Sequence, residues 1–389
     1  MKISIIIVSY NVKYFLEQCL FSVKKAIGQW PVLSAEPGSA EVFVVDNHSS
    51  DGTIEYLAPR FPSVQFISNI ENTGFSKANN QMLPMVKGKF VLFLNPDTVL
   101  PEDFFQKCIP FMENDPDIGA IGVQMIDGKG HFLKESKRGF PTLWASFSRL
   151  SGLTALFPHS KLFAKYYLGH VDKNATHEVE ALSGACMMVN QEVLDKTGGF
   201  DERFFMYAED IDLSFRIHKS GYRNFYFADT TIIHFKGQST TKDLRYVKLF
   251  YGAMIQFVEK HYSNRQGGLY IEFLKTAIRL RRLFAFSSMR LKEKTTGIKV
   301  PKLFLMGDDS SIHEVEVLNH EPVTMVETLE EASEVVLCEG TGVPFCELIE
   351  TMKRSPGHNY NMHALSSSGI AGNISKYKYQ QIEFERIMR

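Results

Sequence analysis

Short apolar runs alternate with helix-spaced segments through the first part of this chain, and this alternation limits the fold more than any other feature. Residues 3–8 are rich in β-branched side chains, a composition typical of a strand that is buried on both faces. Residues 14–27 follow with helical spacing, and further apolar runs occur at 42–45, 64–67 and 90–94. Later in the chain the pattern predicts a strand near 180–189, a helix over 191–197, two strands over 225–228 and 231–234, and a loop over 236–240. Strands that alternate with helices predict an α/β fold with an open, doubly wound, mostly parallel sheet.

Polar clusters follow the apolar runs, at the points where the predicted strands end. In a doubly wound sheet, ligands bind outside the carboxyl ends of the strands. A single aspartate at such a position, for example Asp46, is more often a turn residue or a helix cap than a ligand. Several clusters that converge on one edge favour a binding site instead. The residues concerned are Ser9, Tyr10, Asn11, Asp46, Asn72, Gly74, Phe75, Asn79, Asn95 and Asp97.

A second candidate site is the acidic cluster of Glu209, Asp210 and Asp212, which directly follows the aromatic and apolar residues 204–207. Three carboxylates beside a partly buried wall are costly unless a positive or protonatable group meets them. The same acids are also common in the first turn of a helix, and a helix is predicted over residues 211–220. The cluster alone therefore leaves a catalytic and a structural interpretation open.

Composition places the chain among ordinary proteins with a large core. The 389 residues are 44% hydrophobic and 22% charged, which predicts more than one domain. A formal net charge of -1 argues against a nucleic-acid partner that is bound through overall charge. The five cysteines show no paired spacing, so neither a zinc ribbon nor a disulfide framework is indicated, and a reducing cytoplasm fits best. The N-terminal run reads as a strand rather than a signal peptide, and no apolar stretch is long enough to predict a transmembrane helix.

Seven motifs, in this order, resemble glycosyltransferase family 2, of the GT-A fold, and specifically its rhamnosyltransferase-like bacterial branch. They cover roughly residues 1–262 and read SIIIVSYN, VVDNHSSDGT, NTGFSKANN, LFLNPDT, SGACMMV, GGFDERFFMYAEDIDLSFR and IIHFKGQST. Any one of these motifs alone would be a weak signal, whereas seven in order are specific.

The resemblance implies an inverting glycosyltransferase that moves a hexosyl or deoxyhexosyl group from a nucleotide-sugar to a hydroxyl of a saccharide acceptor, in the synthesis of bacterial cell-surface polysaccharide. A lipid-linked acceptor is expected. Inversion needs a base opposite the leaving group, and the family pattern assigns that base to Asp210, with Glu209 as the second candidate and Asp212 as structural. The alternative is a non-catalytic nucleotide-sugar-binding or scaffold protein, which would tolerate loss of the base.

The same resemblance implies a donor site and a metal site. A diphosphate leaving group gains charge as the glycosidic bond breaks, and a divalent cation with oxygen ligands, Mg²⁺ or Mn²⁺, neutralises it. Asp97 matches the second acid of the family's DxD metal motif, Asn95 stands where the first acid is expected, and His234 matches a histidine that completes metal binding. Lys236 would meet the diphosphate. A wall between donor and acceptor would consist of Ser183, Gly184 and Ala185, and the nucleotide would lie against Ser9, Tyr10, Asn11, Asp46, Asn72, Gly74, Phe75 and Asn79.

The remainder of the chain is expected to form a basic amphipathic helical linker over residues 263–300 and a small α/β accessory domain over residues 301–389. Residues 275–302 carry nine Lys or Arg and one acid, which suits an anionic membrane surface, although a helix packed on the catalytic domain would also explain them. Residues 303–352 contain no Lys or Arg, and this reversal of charge marks the separate domain. We expect a cytoplasmic protein that is peripheral on the inner face of the membrane. Whether it forms a homo-oligomer stays open.

Overall fold

A computed structural model describes most of the chain. The described residues are 1–31, 38–142, 144–145, 148, 151–237, 244–262, 268, 272, 275–276, 279, 302–318, 324–367 and 369–372. Most of the predicted basic linker, 263–300, thus lies outside the described residues.

Within these residues, nine strands form one mixed sheet in the order β3-β2-β1-β4-β8-β6-β9-β5, with β7 paired to β9. Its strands are β1 (Ile3–Ser9), β2 (Ala40–Asp46), β3 (Val64–Ser68), β4 (Phe90–Leu94), β5 (Thr98–Val99), β6 (Ile118–Ile126), β7 (His177–Val179), β8 (Cys186–Asn190) and β9 (Arg223–His234). Strands β3, β2, β1, β4, β6 and β9 point the same way, and β8, β5 and β7 run against them. The predicted α/β fold with a mostly parallel sheet is confirmed.

Helices cover both faces of this sheet. The helices described here are α1 (Lys13–Gln29), α2 (Thr53–Leu57), α3 (Phe75–Asn80), α4 (Phe104–Glu113), α5 (Leu153–Leu156), α6 (Gln191–Thr197), α7 (Glu209–Lys219) and α8 (Leu244–Tyr262). Strand β1 is apolar on both faces because both are buried. Ile3, Ile5 and Ile7 pack into one core with α1, while Ile6 and Val8 pack into a second core on the other face.

The carboxyl ends of the parallel strands meet along one edge, and β8 brings a further loop to it. Because β8 is antiparallel to β4, pairing Cys186 with Leu94, the strand starts at the edge where its neighbours end. Two local expectations differ from the structure. The strand predicted near residues 180–189 begins only at Cys186, which leaves residues 183–185 as a turn at the edge. The two strands predicted at 225–228 and 231–234 are one strand, β9, with a shift in register between Phe227 and Thr231.

A second sheet follows after residue 301, with strand order β11-β10-β12-β13-β14. Its elements are β10 (Lys302–Gly307), α9 (Asp309–Leu318), β11 (Thr324–Met325), β12 (Glu334–Glu339), α10 (Phe345–Arg354), β13 (Tyr360–Ala364) and β14 (Ala371–Gly372). Strands β10 to β13 are mutually parallel where they pair, as predicted for a small α/β unit.

The second sheet packs directly on the first. One apolar core contains Phe15 of α1, Val12 just before that helix and Ile233 of β9, together with Phe345 and Met352 from α10. The carboxylate of Glu102 accepts hydrogen bonds from the backbone N–H groups of Phe345, at 2.8 Å, and Cys346, at 3.0 Å. The C-terminal unit is therefore joined to the larger one through a shared core.

A membrane-spanning helix is not found among the described residues, because none of their helices combines the necessary length with an apolar sequence.

Candidate functional site

Two buried oxygen atoms at the ends of β1 and β2 have no hydrogen-bond partner in the part of the chain that the structure describes. Ser9 and Asp46 face each other in the parallel register, and both are buried. Asp46 Oδ2 accepts a hydrogen bond from the backbone N–H of Ser49 at 2.9 Å, but Asp46 Oδ1 and Ser9 Oγ have no partner among the described residues. Burial raises the pKa of Asp46 above its usual value. Buried polar atoms are normally satisfied, so this pair is suited to bind polar groups of a ligand.

Asn11 fixes the loop that borders these two atoms. Its φ of 53° lies in the left-handed region, which asparagine tolerates better than most residues. Its Oδ1 accepts from the backbone N–H of Ser50 at 2.7 Å, and its own N–H donates to Ser49 Oγ at 2.9 Å. Tyr10 is half-buried beside it. Asn11 therefore holds the loop after β2 in place with its backbone and its side chain.

Asn47, which the sequence did not single out, links two of the predicted motifs. Its Oδ1 accepts from the backbone N–H of Thr73 at 3.0 Å and from Asn69 Nδ2 at 3.1 Å. Its Nδ2 donates to Asn72 Oδ1 at 3.0 Å and to the Gly74 carbonyl at 3.2 Å. In the sequence, the position directly after Asp46 is the one indication that Asn47 belongs to the site. Its hydrogen-bond partners lie more than twenty residues away and could not be predicted from that position.

Gly74 lies against Phe205 rather than against an open surface. Its φ is +85°, and a Cβ atom there would come within 2.6 Å of both the carbonyl oxygen and the ring of Phe205. The backbone N–H of Phe75 donates to the same carbonyl at 2.8 Å. Asn79 is buried and donates to the Phe75 carbonyl at 2.9 Å. Gly74 and Phe75, which were predicted to contact the nucleotide, thus contact the segment that precedes the acidic cluster.

Asp97 and His234 come together at the ends of β4 and β9. Their side chains are buried, and His234 Nε2 lies 3.4 Å from both Asp97 Oδ1 and Asn95 Nδ2. His234 Nδ1 is buried without a partner among the described residues. Nowhere in the described ranges do three or more His, Cys, Asp or Glu residues gather into a metal site. The pair fits a divalent ion that takes its other ligands from phosphate oxygens and water.

Lys236 is paired before any ligand arrives. It forms a short ion pair with Glu135 and has a left-handed φ of 60°. Residues 238–240 of the loop predicted at 236–240 lie outside the described residues. A contact of Lys236 with a diphosphate would have to compete with Glu135.

The acidic cluster opens α7, two residues earlier than predicted. Tyr207 and Ala208, just before the helix, have φ values of 73° and 66°, and left-handed non-glycine residues cost about 1–3 kcal/mol each. Such backbone is retained where the surrounding structure imposes it, and it aims Glu209 and Asp210 toward the edge of the sheet.

Asp212 ties α7 to its neighbours. Its fully buried carboxylate accepts hydrogen bonds from Lys260 Nζ at 2.5 Å, His261 Nε2 at 2.7 Å and Arg216 Nε at 2.9 Å. Burial alone would raise the pKa of Asp212, but the hydrogen bonds from His261 and Lys260 outweigh it and lower that pKa. These contacts agree with the structural role expected for Asp212.

Asp210 meets a buried cation, Arg138. Arg138 Nη2 donates to Asp210 Oδ2 at 2.6 Å and also to the Leu182 carbonyl, while Arg138 Nε is buried without a partner among the described residues. Arg138 was not among the residues predicted for the site, because nothing in its local sequence indicates a partner 72 positions away. It is the positive group that the acidic cluster requires.

Glu209 lies in a different environment from Asp210, whose carboxylate is paired with Arg138. It is buried, and its Oε2 has no partner within the described residues. Burial, with a contribution from the charge of Asp210, raises the pKa of Glu209 from its usual 4.5 to about 8. At neutral pH Glu209 is therefore expected to keep its proton.

The 183–185 turn connects the two halves of the site. The backbone N–H of Gly184 donates to Asp210 Oδ2 at 3.0 Å, and that of Asn95 donates to the Ala185 carbonyl at 2.9 Å. Ser183 is buried within the turn. The turn thus contacts both Asp210 and Asn95, and Asn95 lies beside His234.

A cavity of about 120 Å³ opens on the Asp210 side of this turn. Its walls are mainly apolar and aromatic, with Arg138, Glu209 and Asp210 at its polar end. Two of the aromatic lining residues are Tyr166 and Tyr207.

Comparisons with known proteins give the following findings. The family described as "Glycosyl transferase family 2" matches residues 4–198. An N-acetylglucosaminyl-diphospho-decaprenol L-rhamnosyltransferase of Mycobacterium tuberculosis (strain CDC 1551 / Oshkosh) is 27% identical over 250 residues, which cover 61% of this chain and 78% of the relative. Rhamnosyltransferase WbbL of Escherichia coli (strain K12) is 25% identical over 217 residues, 52% of this chain and 75% of the relative. The solved mannosyltransferase PcManGT from Pyrobaculum calidifontis, in complex with GDP-Man and Mn²⁺, is 18% identical, with 76% of each chain covered and a TM-score of 0.46.

Proposed function

Because the chain belongs to glycosyltransferase family 2, we propose that it transfers a sugar, with inversion, from a nucleotide-sugar to a hydroxyl of a lipid-linked saccharide. The observation that carries this proposal is the turn at residues 183–185. It contacts both Asn95 and Asp210. A donor bound near Asp97 and an acceptor bound near Asp210 would therefore both lie beside this three-residue turn, close enough to react with each other.

Asp210 is proposed as the base. The acceptor oxygen attacks the anomeric carbon, the bond from that carbon to the diphosphate oxygen breaks, and the acceptor proton passes to Asp210. Oδ2 of Asp210 accepts from Arg138 and Gly184, whereas Oδ1 accepts, among the described residues, one hydrogen bond, from the Ile211 N–H at 2.8 Å. Oδ1 therefore has room for the incoming hydroxyl. Glu209, neutral at pH 7, limits repulsion beside the base.

The donor is proposed to bind at the ends of β1, β2 and β4. The unsatisfied Ser9 Oγ and Asp46 Oδ1 supply polar contacts for the nucleoside, and Tyr10 and Asn11 border them. Asp97 and His234, with Asn95 beside them, would hold Mg²⁺ or Mn²⁺. The ion would neutralise charge on the diphosphate leaving group.

The acceptor is proposed to enter the aromatic cavity. Aromatic side chains provide flat apolar surfaces with polar edges, and Tyr166 and Tyr207 supply two of them next to Asp210. The name of the Mycobacterium tuberculosis relative, which describes a diphospho-decaprenol-linked substrate, supports a lipid-linked acceptor. A lipid-linked acceptor would suit a peripheral enzyme on the cytoplasmic face of the membrane, and we propose that location for the protein. Residues 1–262 would form its catalytic domain, 263–300 a basic linker and 301–389 the accessory domain.

Two measurements test the proposal. Thermal shift with UDP-, GDP- and dTDP-linked sugars, each with and without Mn²⁺, identifies the donor. With that donor and a synthetic polyprenyl-diphosphate saccharide, Asp210→Asn is expected to lower transfer by about 10²–10⁴-fold while donor binding persists. The matched variant Asp195→Asn changes an exposed acid on α6 and should transfer normally. Undiminished transfer by Asp210→Asn would refute the base assignment.

A further inference from the structure

The insertion between β6 and β7 has an unusual charge pattern. Residues 136–171, called the docking segment below, contain five Lys or Arg and no Asp or Glu, although the whole chain has a net charge of -1. Two of these cations, Lys137 and Arg138, are buried, and Lys137 Nζ donates to the carbonyls of Leu168 and Val171. Lys161 is exposed and Lys165 is half-buried. Lys161 is therefore the exposed cation of the segment within the part of the chain that the structure describes, and Arg149 lies outside that part.

The docking segment also exposes large apolar side chains. Leu156 is 72% exposed, Leu162 56% and Phe157 50%. Trp144 is 41% exposed, and these four account for half of the eight large exposed hydrophobic residues in the described part of the chain. The Phe163 ring lies 5.4 Å from that of Phe157 and 6.0 Å from that of Trp144, which joins them into one patch. Clustered exposed apolar side chains mark an interaction surface.

The docking segment also supplies part of the wall of the proposed acceptor cavity. The backbone N–H of Gly139 donates to the Tyr166 carbonyl at 2.9 Å, and Tyr166 lines the cavity. One residue before Gly139, Arg138 binds Asp210. A Cβ atom on Gly139 would come within 2.6 Å of the Lys165 carbonyl oxygen, so the two stretches are in close contact. One insertion thus carries the exposed patch on its outer side and touches the base on its inner side.

We propose that the docking segment inserts Leu156, Phe157 and Leu162 into an anionic lipid bilayer, with Lys161 at the headgroups. The inference rests on the proposed transfer to a lipid-linked acceptor, and it deepens that proposal by naming the surface through which the enzyme reaches its substrate. Apolar side chains flanked by cations are the combination that binds membrane interfaces.

Charge favours a bilayer over a second copy of this chain as the occupant. A self-complementary interface of this patch would bring like charges together, since the segment contains no acid to oppose Lys161. The surroundings are already positive: besides burial, Lys161 and Lys137 lower the pKa of His170. An anionic lipid surface relieves this repulsion, whereas a symmetric dimer increases it.

The test uses the full chain and sedimentation with phosphatidylcholine vesicles, with and without phosphatidylglycerol. The wild type should bind the anionic vesicles and bind neutral ones more weakly. Leu156→Glu with Phe157→Glu is expected to lower the partition coefficient by at least roughly tenfold, because two apolar anchors are lost. Met85→Glu is the matched control, since Met85 is 47% exposed and outside the segment, and it should bind like the wild type.

Three outcomes would overturn the inference. Unchanged vesicle binding by the double variant would exclude the patch as an anchor. Loss of binding on Arg281→Glu with Arg282→Glu, with the double variant still bound, would assign the membrane contact to the basic linker. A concentration-dependent dimer that the double variant abolishes would assign the patch to self-association.

This experiment separates the inference from the proposed function. Vesicle binding is measured without donor or acceptor, so its failure leaves the transfer reaction untouched. Conversely, Asp210→Asn should bind vesicles normally, and a loss of transfer in that variant does not affect the docking proposal. The double variant should also retain transfer to a water-soluble saccharide acceptor.

Discussion

Arg138 Nη2 and Asp210 Oδ2 lie 2.6 Å apart, and each side chain is about nine-tenths buried. Removing one member of such a pair leaves an uncompensated charge in a poorly solvated place. The pair links the insertion after β6 to the first turn of α7, and it engages Oδ2 of Asp210, the oxygen that also accepts from the Gly184 N–H.

The first prediction concerns Arg138 as a positioning residue. Arg138→Met should lower kcat by roughly 10²-fold, because Asp210 is no longer oriented. It should also raise the pKa of Glu209 further, since the charge of Arg138 lowers that pKa, and the pH profile of unfolding should shift accordingly. Arg138→Lys should restore part of both. A variant that loses only stability, with an unshifted pH profile, would reduce Arg138 to a structural role.

The second prediction concerns Glu209 and pH. The pKa of Glu209 is raised from 4.5 to about 8 in the folded protein, so between these values the folded state holds a proton that the unfolded state has released. The free energy of unfolding should therefore fall as pH rises through this window, by about 1.4 kcal/mol per pH unit for this group. Glu209→Gln should remove this pH-dependent loss of stability. Chemical denaturation of both proteins at pH 5 and pH 8 measures the free energies of unfolding that are compared. The exposed control Glu192→Gln should leave the pH dependence as it is.

The third prediction compares two glycines. Gly74→Ala should destabilise the fold by about 1–3 kcal/mol, because the new Cβ meets Phe205 and the φ is positive. Gly28→Ala, in α1 with nothing within 4 Å of its Cβ position, should instead stabilise by about 0.5–1 kcal/mol. Thermal unfolding of both variants measures their change in stability. Equal changes in stability would mean that the contact of residue 74 with Phe205 does not contribute to the effect.

The fourth prediction concerns the metal. Asn95→Asp adds a second carboxylate beside His234 and should strengthen the Mn²⁺-dependent thermal shift seen with donor. Asp97→Asn should abolish that dependence while the backbone remains folded. If Mn²⁺ has no effect on donor binding by any of the three proteins, then Asp97 and His234 do not form a metal site.

The fifth prediction concerns the shared core. Removal of residues 263–389 should expose Val12, Phe15, Ile126 and Ile233 to water, since residues of the second sheet cover them. We expect a chain that ends at residue 262 to unfold at lower temperature and to aggregate. A truncated chain with wild-type stability would show that the catalytic unit folds alone.

The fold was largely predictable because its signals are local. Residues 90–94 and 191–197 were predicted with the bounds that the structure has, since the first is a continuous apolar run and the second begins after Asn190 and ends at Gly198. Family membership was equally accessible from the ordered motifs, and the family match confirms it.

Contacts between distant segments were not predictable. Arg138 has no neighbour in sequence that indicates Asp210, and Gly74 was interpreted through its motif because Phe205 lies 131 positions further along the chain. The assigned roles of the site residues stay predictions, and the experiments above address them one at a time.

The contact between α1 and the C-terminal unit has a consequence for how the protein is made. Gln18 donates to Ser367 Oγ at 2.6 Å and accepts from the Ala364 N–H at 2.8 Å, and these partners are separated by 349 and 346 positions. At a synthesis rate of about 5–20 residues per second, α1 leaves the ribosome roughly 20–70 s before the residues that complete its surroundings. During that interval its outer face is open to other nascent chains, so this helix is where chaperone binding during translation should first be sought.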